Sequence, residues 1–412
     1  MKIGIITSGY NYISLNEFAK NAVKFLGRHY NIEHLRTKDN TNSAQIQNLY
    51  RRCDVVVNLS SRIIRYDRRI NKPTVIFAHA WMDHGAGINF YLYGKNFYSR
   101  DVIVFASRGS LDKFHKVYKT KLMTYVAPYF IDKSKFFIPK HCEDRKILDK
   151  YNIPIDKDIL IYAGRFSEEK NIEGLIRLFN QINSKKCCLV LLGGFKNYKT
   201  YGFGYKNSEV YKKRVLNLLG KKKNNQVIVI ENIKRTDLIK ILSLSKLFIT
   251  TTLCFEENFG LAVVEAMSLG VPVVCSSWGG LKEIVEHNKT GFLMKTTLDS
   301  TFVPKIGYSP AIKFINSLLD DEKKYRIISL NAKKRAEKFF TEGAFMDKME
   351  VIIKNLKNGE SGSNKELIRP REYFSKIYQR SLRLNRVDRI YLDNPKLFKI
   401  LYSYYSSKNK MI

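Results

Sequence analysis

Short apolar runs alternate with amphipathic helical segments through most of the chain, and the alternation restarts once near the middle. Lys2 to Thr7, Asp54 to Leu59, Pro73 to His79, Val102 to Ser107 and Met123 to Ala127 have the composition of buried strands. Between the first two, Leu15 to Leu26 places its apolar residues at helical spacing. Strands and helices that take turns in this way build a parallel sheet covered on both faces. From about Ile138 to Asp158 the rhythm yields to a polar stretch, after which Ile159-Leu160-Ile161-Tyr162-Ala163 opens a second series. Cys188 to Leu192, Gln226 to Ile230, Leu247 to Thr251 and Val271 to Cys275 continue it. The expected fold is α/β: two Rossmann-like doubly wound domains facing across a cleft, at the strand ends where such sheets bind ligands. The expected divisions are residues 1–140, residues 141–356, and a linker with a basic extension at 357–412.

A chain of 412 residues is long enough for two cores of ordinary size. Its 72 Lys and Arg against 38 Asp and Glu give a formal net charge of +34, so its partners are expected to be anionic. Nucleic acid, phosphorylated small molecules and anionic membrane surfaces all answer to that charge. No zinc-finger or RNA-binding module is recognisable, and nucleic acid is not expected. The six cysteines form no C-x-x-C pair, the seven histidines form no HExxH, and a reducing compartment without a bound metal is expected. The opening apolar stretch is too short for a signal peptide, and no window of about 18 uncharged apolar residues exists. The expectation is a cytoplasmic protein, soluble or peripheral on the cytoplasmic membrane face.

Residues 358–364, Asn-Gly-Glu-Ser-Gly-Ser-Asn, read as a flexible linker. Beyond it Arg369, Arg371, Tyr373, Phe374, Tyr378, Arg380, Arg383, Arg386, Arg389 and Tyr391 interleave bases with aromatics. That composition suits a membrane interface or a nucleic-acid backbone, and equally a helical extension packed on the body.

Three segments carry chemistry. In Tyr162-Ala163-Gly164-Arg165-Phe166-Ser167-Glu168-Glu169-Lys170-Asn171 a strand ends at Gly164 and a helix opens near Glu168, flanked by two cations. A helix start with free N–H groups and two cations can hold a diphosphate without a metal, although an ordinary charged surface turn has the same composition. In Phe255-Glu256-Glu257-Asn258-Phe259-Gly260-Leu261-Ala262-Val263-Val264-Glu265-Ala266-Met267, Glu257 follows a strand while Glu265 sits inside an apolar helix. A carboxylate there needs a partner, either an ion pair or sugar and ribose hydroxyls. In Gly270 to Val285 a strand runs into Gly279-Gly280 and a new helix, where the missing side chains allow either a ligand's approach or a positive-φ turn.

Together, these segments resemble the retaining glycosyltransferases of family 4, also described as glycosyl transferases group 1, which have the GT-B fold. The matching elements are Gly164-Arg165 with Lys170, Glu257 and Glu265 with seven residues between them that include Phe259-Gly260, Glu265-Ala266-Met267, Gly270 to Val274, Gly279-Gly280 with Glu283, and Thr290-Gly291-Phe292-Leu293. The resemblance spans about Lys2 to Leu356 and is strongest from Ile159 to Met294.

It implies an acceptor-side first domain, a nucleotide-sugar-binding second domain, and hexose transfer to a glycan, lipid-linked or protein-linked acceptor with retention of configuration. Arg165 and Lys170 would bind the donor diphosphate and stabilise charge growing on it. Glu257 would hold the donor sugar, with Gly164, Asn258, Phe259 and Gly260 around the donor. Glu265 would take the ribose, and His79 would face the sugar. No cofactor and no metal is implied, the donor being a nucleotide-sugar such as UDP- or GDP-hexose. An inactive sugar-binding relative would share these motifs. Three departures stand out: the first strand-to-helix loop offers Gly9 alone, Thr251-Thr252 replaces the usual Pro-Ser, and the usual Asn-Gly at the domain junction is absent from Pro128-Tyr129-Phe130-Ile131-Asp132. Asp156-Lys157-Asp158 has the form of a metal-binding DxD motif but precedes its strand, so it is read as a turn.

Overall fold

The computed structural model describes residues 1–8, 13–37, 43–60, 70–79, 90–92, 94–136, 146–182, 186–200, 204–219, 227–254, 257–299, 303–357 and 367–383. Gly9, Phe255, Glu256 and the linker at 358–364 lie outside them. The chain divides into two compact units. One holds Met1–Ile131 together with the described chain from Phe339 onward, and the other holds Asp132–Lys338.

The first unit is built on β1 (Lys2–Ser8), β2 (Asn31–Thr37), β3 (Val55–Asn58), β4 (Thr74–Ala78), β5 (Val102–Phe105), β6 (Tyr118–Thr120) and β7 (Met123–Val126). Six of these form one parallel sheet in the order β2-β1-β3-β4-β5-β7. β3, β4 and β5 are buried along their whole length, as their continuous β-branched and aromatic runs require of a sheet covered on both faces. β2 was not expected from the sequence. It is an edge strand whose Glu33, His34 and Arg36 stand among few apolar residues, so no apolar run announces it.

The second unit contains β8 (Asp158–Phe166), β9 (Cys187–Phe195), a hairpin of β10 (Tyr198–Thr200) and β11 (Gly204–Lys206), β12 (Val227–Glu231), β13 (Leu247–Thr250), β14 (Val273–Ser276), β15 (Gly291–Met294), and a second hairpin of β16 (Thr296–Leu298) and β17 (Pro304–Ile306). Its parallel sheet runs β12-β9-β8-β13-β14-β15, the third-second-first-fourth-fifth-sixth order of a Rossmann fold. The chain direction across this sheet reverses between β8 and β13, and ligands bind at the carboxyl ends beside such a switch. Arg165 lies at the end of β8, and the chain leaves β13 toward Glu257.

The chain after Phe339 differs from the sequence reading, which closed the second domain at 356, and of the two readings of the extension its described part takes the packed one. Phe345, in the helix Glu342–Lys357, packs 4.6 Å from Phe130 and 5.7 Å from Phe18 of the first unit. Further on, β18 (Ile368–Pro370) pairs antiparallel with β6, and the helix Glu372–Arg383 follows it. Arg371 N–H donates to Val117 O at 2.8 Å, and Phe374, Ile377 and Tyr378 are buried. Exposed bases at Lys376, Arg380 and Arg383 dominate the composition, while the apolar face at i, i+3 and i+4 supplies the packing.

Candidate functional site

β8 and the loop after it place both cations. A single 3-10 turn, Glu168–Lys170, separates the strand from the helix Ile172–Phe179. Asn171 makes the corner with φ of 54° and ψ of 48°, and its side-chain oxygen accepts from Gly174 N–H at 3.1 Å to cap the helix. Asparagine suits that corner because it tolerates left-handed backbone and supplies the capping oxygen. Where β8 meets β9, a Cβ on Gly193 would lie 1.8 Å from the Gly164 carbonyl oxygen, so the two strand ends come together only because this position has none.

Lys170 meets Glu257 across the switch, Nζ to Oε2 at 2.6 Å. The side chains are 20% and 13% exposed, so the pair is largely shielded but reachable. Burial disfavours the ammonium, yet the Glu257 carboxylate more than offsets this and raises its pKa above the ordinary lysine value. Arg165 lies close enough to oppose that protonation. Its Nη2 and Nε donate to Glu169 Oε1 at 2.7 and 3.2 Å. Arg165, Lys170, Glu169 and Glu257 all act on the buried phenol of Tyr162, whose ionisation is suppressed first by burial. These four charges therefore gather at one end of β8.

The loop from β13 to Glu257 is laced to the β8 loop. Leu253 N–H donates to Glu169 O at 2.7 Å, Thr252 Oγ to the same oxygen at 3.4 Å, and Thr251 Oγ to Asn171 O at 2.7 Å. The two threonines that depart from the family's Pro-Ser thus supply hydroxyls to this lacing, fully buried. From below, Trp278 Nε1–H donates to Cys254 O at 2.9 Å and Ser276 Oγ to Thr252 O at 2.6 Å. Gly280 N–H donates to Glu257 O at 2.9 Å, and a Cβ on Gly280 would lie 2.2 Å from Asn258 O. Gly280 thus admits the chain's own backbone, and Gly279, at a φ of 52°, makes the positive-φ turn that the sequence reading set beside a ligand's approach. Asn171 and Trp278 went without a role in that reading, since nothing in their own segments names the carbonyl each one meets.

Gly260 opens the helix Leu261–Ser268 at a φ of 112°, and no side chain caps the helix start. Asn258 and Phe259 are buried beside it. Glu265, on that helix, has a side chain 8% exposed and hydrogen-bonds Arg235 Nη2. Arg235 in turn lies 5.3 Å over the Phe136 ring. Of the four charged residues named from sequence, Lys170 and Glu257 touch, Arg165 lies at the end of the strand that leads to Lys170, and Glu265 has its own cationic partner.

His79 ends β4 in the first unit. Its Nε2 lies 3.0 Å from Leu59 O and its Nδ1 2.7 Å from the Tyr129 hydroxyl. A carbonyl only accepts, so Nε2 carries the proton and Nδ1 accepts from Tyr129. Burial pushes the imidazolium down to about 4, partly offset by the Leu59 bond. A catalytic task would require the ring to give up one of these bonds. The depressed pKa favours the neutral native ring, a contribution complete above pH 6.5 and lost as pH falls toward 4. About 3 kcal/mol of stability should disappear across that window. Acid unfolding monitored from pH 7 to 4 should show this loss in the native protein and lack it in His79→Gln; equal slopes would refute the assignment.

Among the described residues no three His, Cys, Asp or Glu side chains gather as a metal site, and no helix is long and apolar enough to cross a membrane. Asp158 begins β8, at the opposite end of the strand from Arg165.

Comparison with known proteins agrees with this architecture. Residues 143–335 match the family described as glycosyl transferases group 1. The N-acetyl-alpha-D-glucosaminyl L-malate synthase of Bacillus anthracis is 27% identical over 265 residues, 63% of this chain and 62% of that protein. The capsular polysaccharide biosynthesis glycosyltransferase CapM of Staphylococcus aureus is 25% identical over 213 residues, 51% of this chain and 50% of CapM. The chain thus spans less than two thirds of the length of these relatives. Anabaena HepE, solved with UDP and glucose, superposes with a TM-score of 0.61 at 19% identity, covering 86% of this chain and all of HepE. The two Rossmann-like units are those of a GT-B protein.

Proposed function

With a glycosyl transferases group 1 domain at residues 143–335 as the premise, we propose that this protein transfers a hexose from a nucleotide-diphosphate sugar to a glycan, lipid-linked or protein-linked acceptor, retaining the anomeric configuration. The observation that carries the proposal is the Lys170–Glu257 pair, with Arg165 beside it, at the switch of the second sheet. HepE's complex with UDP and glucose supports a nucleotide-sugar as the ligand of such a fold.

Arg165 and Lys170 take the diphosphate, where their charges count most as the bond from C1 to the phosphate oxygen breaks. Glu257 holds sugar hydroxyls, the uncapped start of Leu261–Ser268 offers N–H groups to the donor, and Glu265 takes the ribose. The acceptor oxygen bonds to C1 on the face the phosphate leaves, and its proton passes to the departing phosphate. No protein nucleophile is assigned. His79 serves the first unit as a neutral strut.

Melting the protein with a panel of UDP-, GDP- and ADP-sugars tests the donor. The matching nucleotide at about a hundred times its Kd should add about 2.7 kcal/mol of stability. A panel with no shift and no sugar transfer sinks the proposal. Two cations in place of a metal make activity insensitive to EDTA, and loss that Mn²⁺ restores would refute that part. The formal net charge of +34 supports attachment to the cytoplasmic face of an anionic membrane. Co-sedimentation with phosphatidylglycerol vesicles at low salt, released by 0.5 M NaCl, is expected; recovery wholly in the supernatant counts against it.

A further inference from the structure

Glu169 is an acid at this site to which neither the sequence motifs nor the proposed reaction gives a role. Its side chain is 8% exposed, and among the described residues a single oxygen, Oε1, takes the carboxylate's hydrogen bonds. Those bonds come from Arg165 Nη2 at 2.7 Å, Arg165 Nε at 3.2 Å and Ser167 Oγ at 2.6 Å. The other oxygen, Oε2, is buried with no hydrogen-bond partner among the described residues. A residue kept only to stabilise the loop would be expected to satisfy both oxygens, because a buried acceptor left unpaired costs about 1–3 kcal/mol.

The geometry explains what that cost secures. A guanidinium gripped through Nε and one Nη is held in plane, since the fork is rigid. Ser167 joins the same grip, its Oγ lying 3.3 Å from Arg165 Nε. The Glu169 backbone carbonyl meanwhile receives Leu253 N–H and Thr252 Oγ, the start of the loop that carries Glu257. One residue therefore sets the direction of Arg165 with its side chain and ties down the approach to Glu257 with its main chain. Only the first of these depends on the carboxylate.

We infer that Glu169 is a positioning residue that aims Arg165 at the donor diphosphate, an assignment that rests on the function proposed above. It acts through Arg165 and touches no reacting atom. A displacement of about 1 Å in such a group can cost up to about a hundredfold in rate.

The test is a double-mutant cycle on the full chain, reading kcat, donor KM, Tm and calorimetric binding of UDP, GDP and ADP. Glu169→Ala should lower kcat/KM about 10- to 100-fold and weaken nucleotide diphosphate binding, while Glu169→Gln, which keeps an acceptor oxygen for Arg165, recovers most of the loss. Made in an Arg165→Ala background, Glu169→Ala should cost less than about twofold. The inference is overturned if Glu169→Ala costs as much with Arg165 absent as with it present, or lowers Tm while kcat and KM stay put. A native protein that binds none of the three nucleotides and transfers no sugar instead refutes the function itself and takes this inference with it.

Discussion

Replacing Lys170 by alanine is expected to reduce kcat/KM for the donor about a thousandfold. Removing one preorganised donor from a transition-state charge site typically costs about 10²–10³, and a full cation aimed at a leaving diphosphate belongs at the upper end. Stability should fall as well, because Glu257 would lose its ion-pair partner in a largely shielded position. Breaking a buried pair costs about 3–5 kcal/mol, and the residual exposure of both partners places this one near the lower limit. Activity and stability can be separated with a third variant. Lys170→Met combined with Glu257→Gln removes both charges and should regain most of the lost stability while remaining inactive. Should activity return together with stability, the pair would be a structural bridge and the donor-binding assignment would fail.

How much of this was legible in the sequence depended on where each residue's partner lies. The buried strands β3, β4, β5 and β13, and the buried run at residues 159–163 of β8, declare themselves because a strand segment covered on both faces must be apolar. Arg165, Lys170, Glu257 and Glu265 could be picked out by type and spacing, since charge beside a strand end or inside an apolar helix is costly without a purpose. Their mutual arrangement could not, because it depends on which strands become neighbours. The order β12-β9-β8-β13 brings Lys170 onto a residue 87 positions away. Arg235 was invisible as the partner of Glu265 for the same reason. Trp278 and Gly280 act on backbone atoms, which every residue has, so no residue type at the other end marks the contact. His79 shows the opposite difficulty. The family resemblance gave it a sugar-facing role, while its ring bonds go to Leu59 and Tyr129, 20 and 50 residues away.

The extension past Lys365 could be read from its composition either as a basic surface segment or as a packed helix, and its removal should be the most damaging change to the first unit. Truncation after Asn364 takes away Leu367, Ile368, Phe374, Ile377 and Tyr378, all buried. Each such side chain contributes about 1.5–3 kcal/mol by leaving water, and the release of the ordered segment returns only part of the sum. The loss extends beyond these five. β6 forfeits its partner strand, Thr120 Oγ and Lys121 N–H lose the Leu367 carbonyl, and Tyr118 and Tyr91 lose the Tyr378 ring. A drop in Tm of at least about 10 °C, or recovery only as insoluble protein, is expected for a unit of this size. Single replacements should reproduce the effect in part, with Tyr378→Ala and Phe374→Ala each costing about 3 kcal/mol or more. Charge reversal at Lys376, Arg380 and Arg383, which are exposed, should leave Tm nearly unchanged while weakening attachment to anionic vesicles. That contrast separates the two tasks assigned to one helix, an apolar face that completes the fold and a basic face turned to solvent. A truncated chain that melts with the native one would show that the first unit folds without this segment.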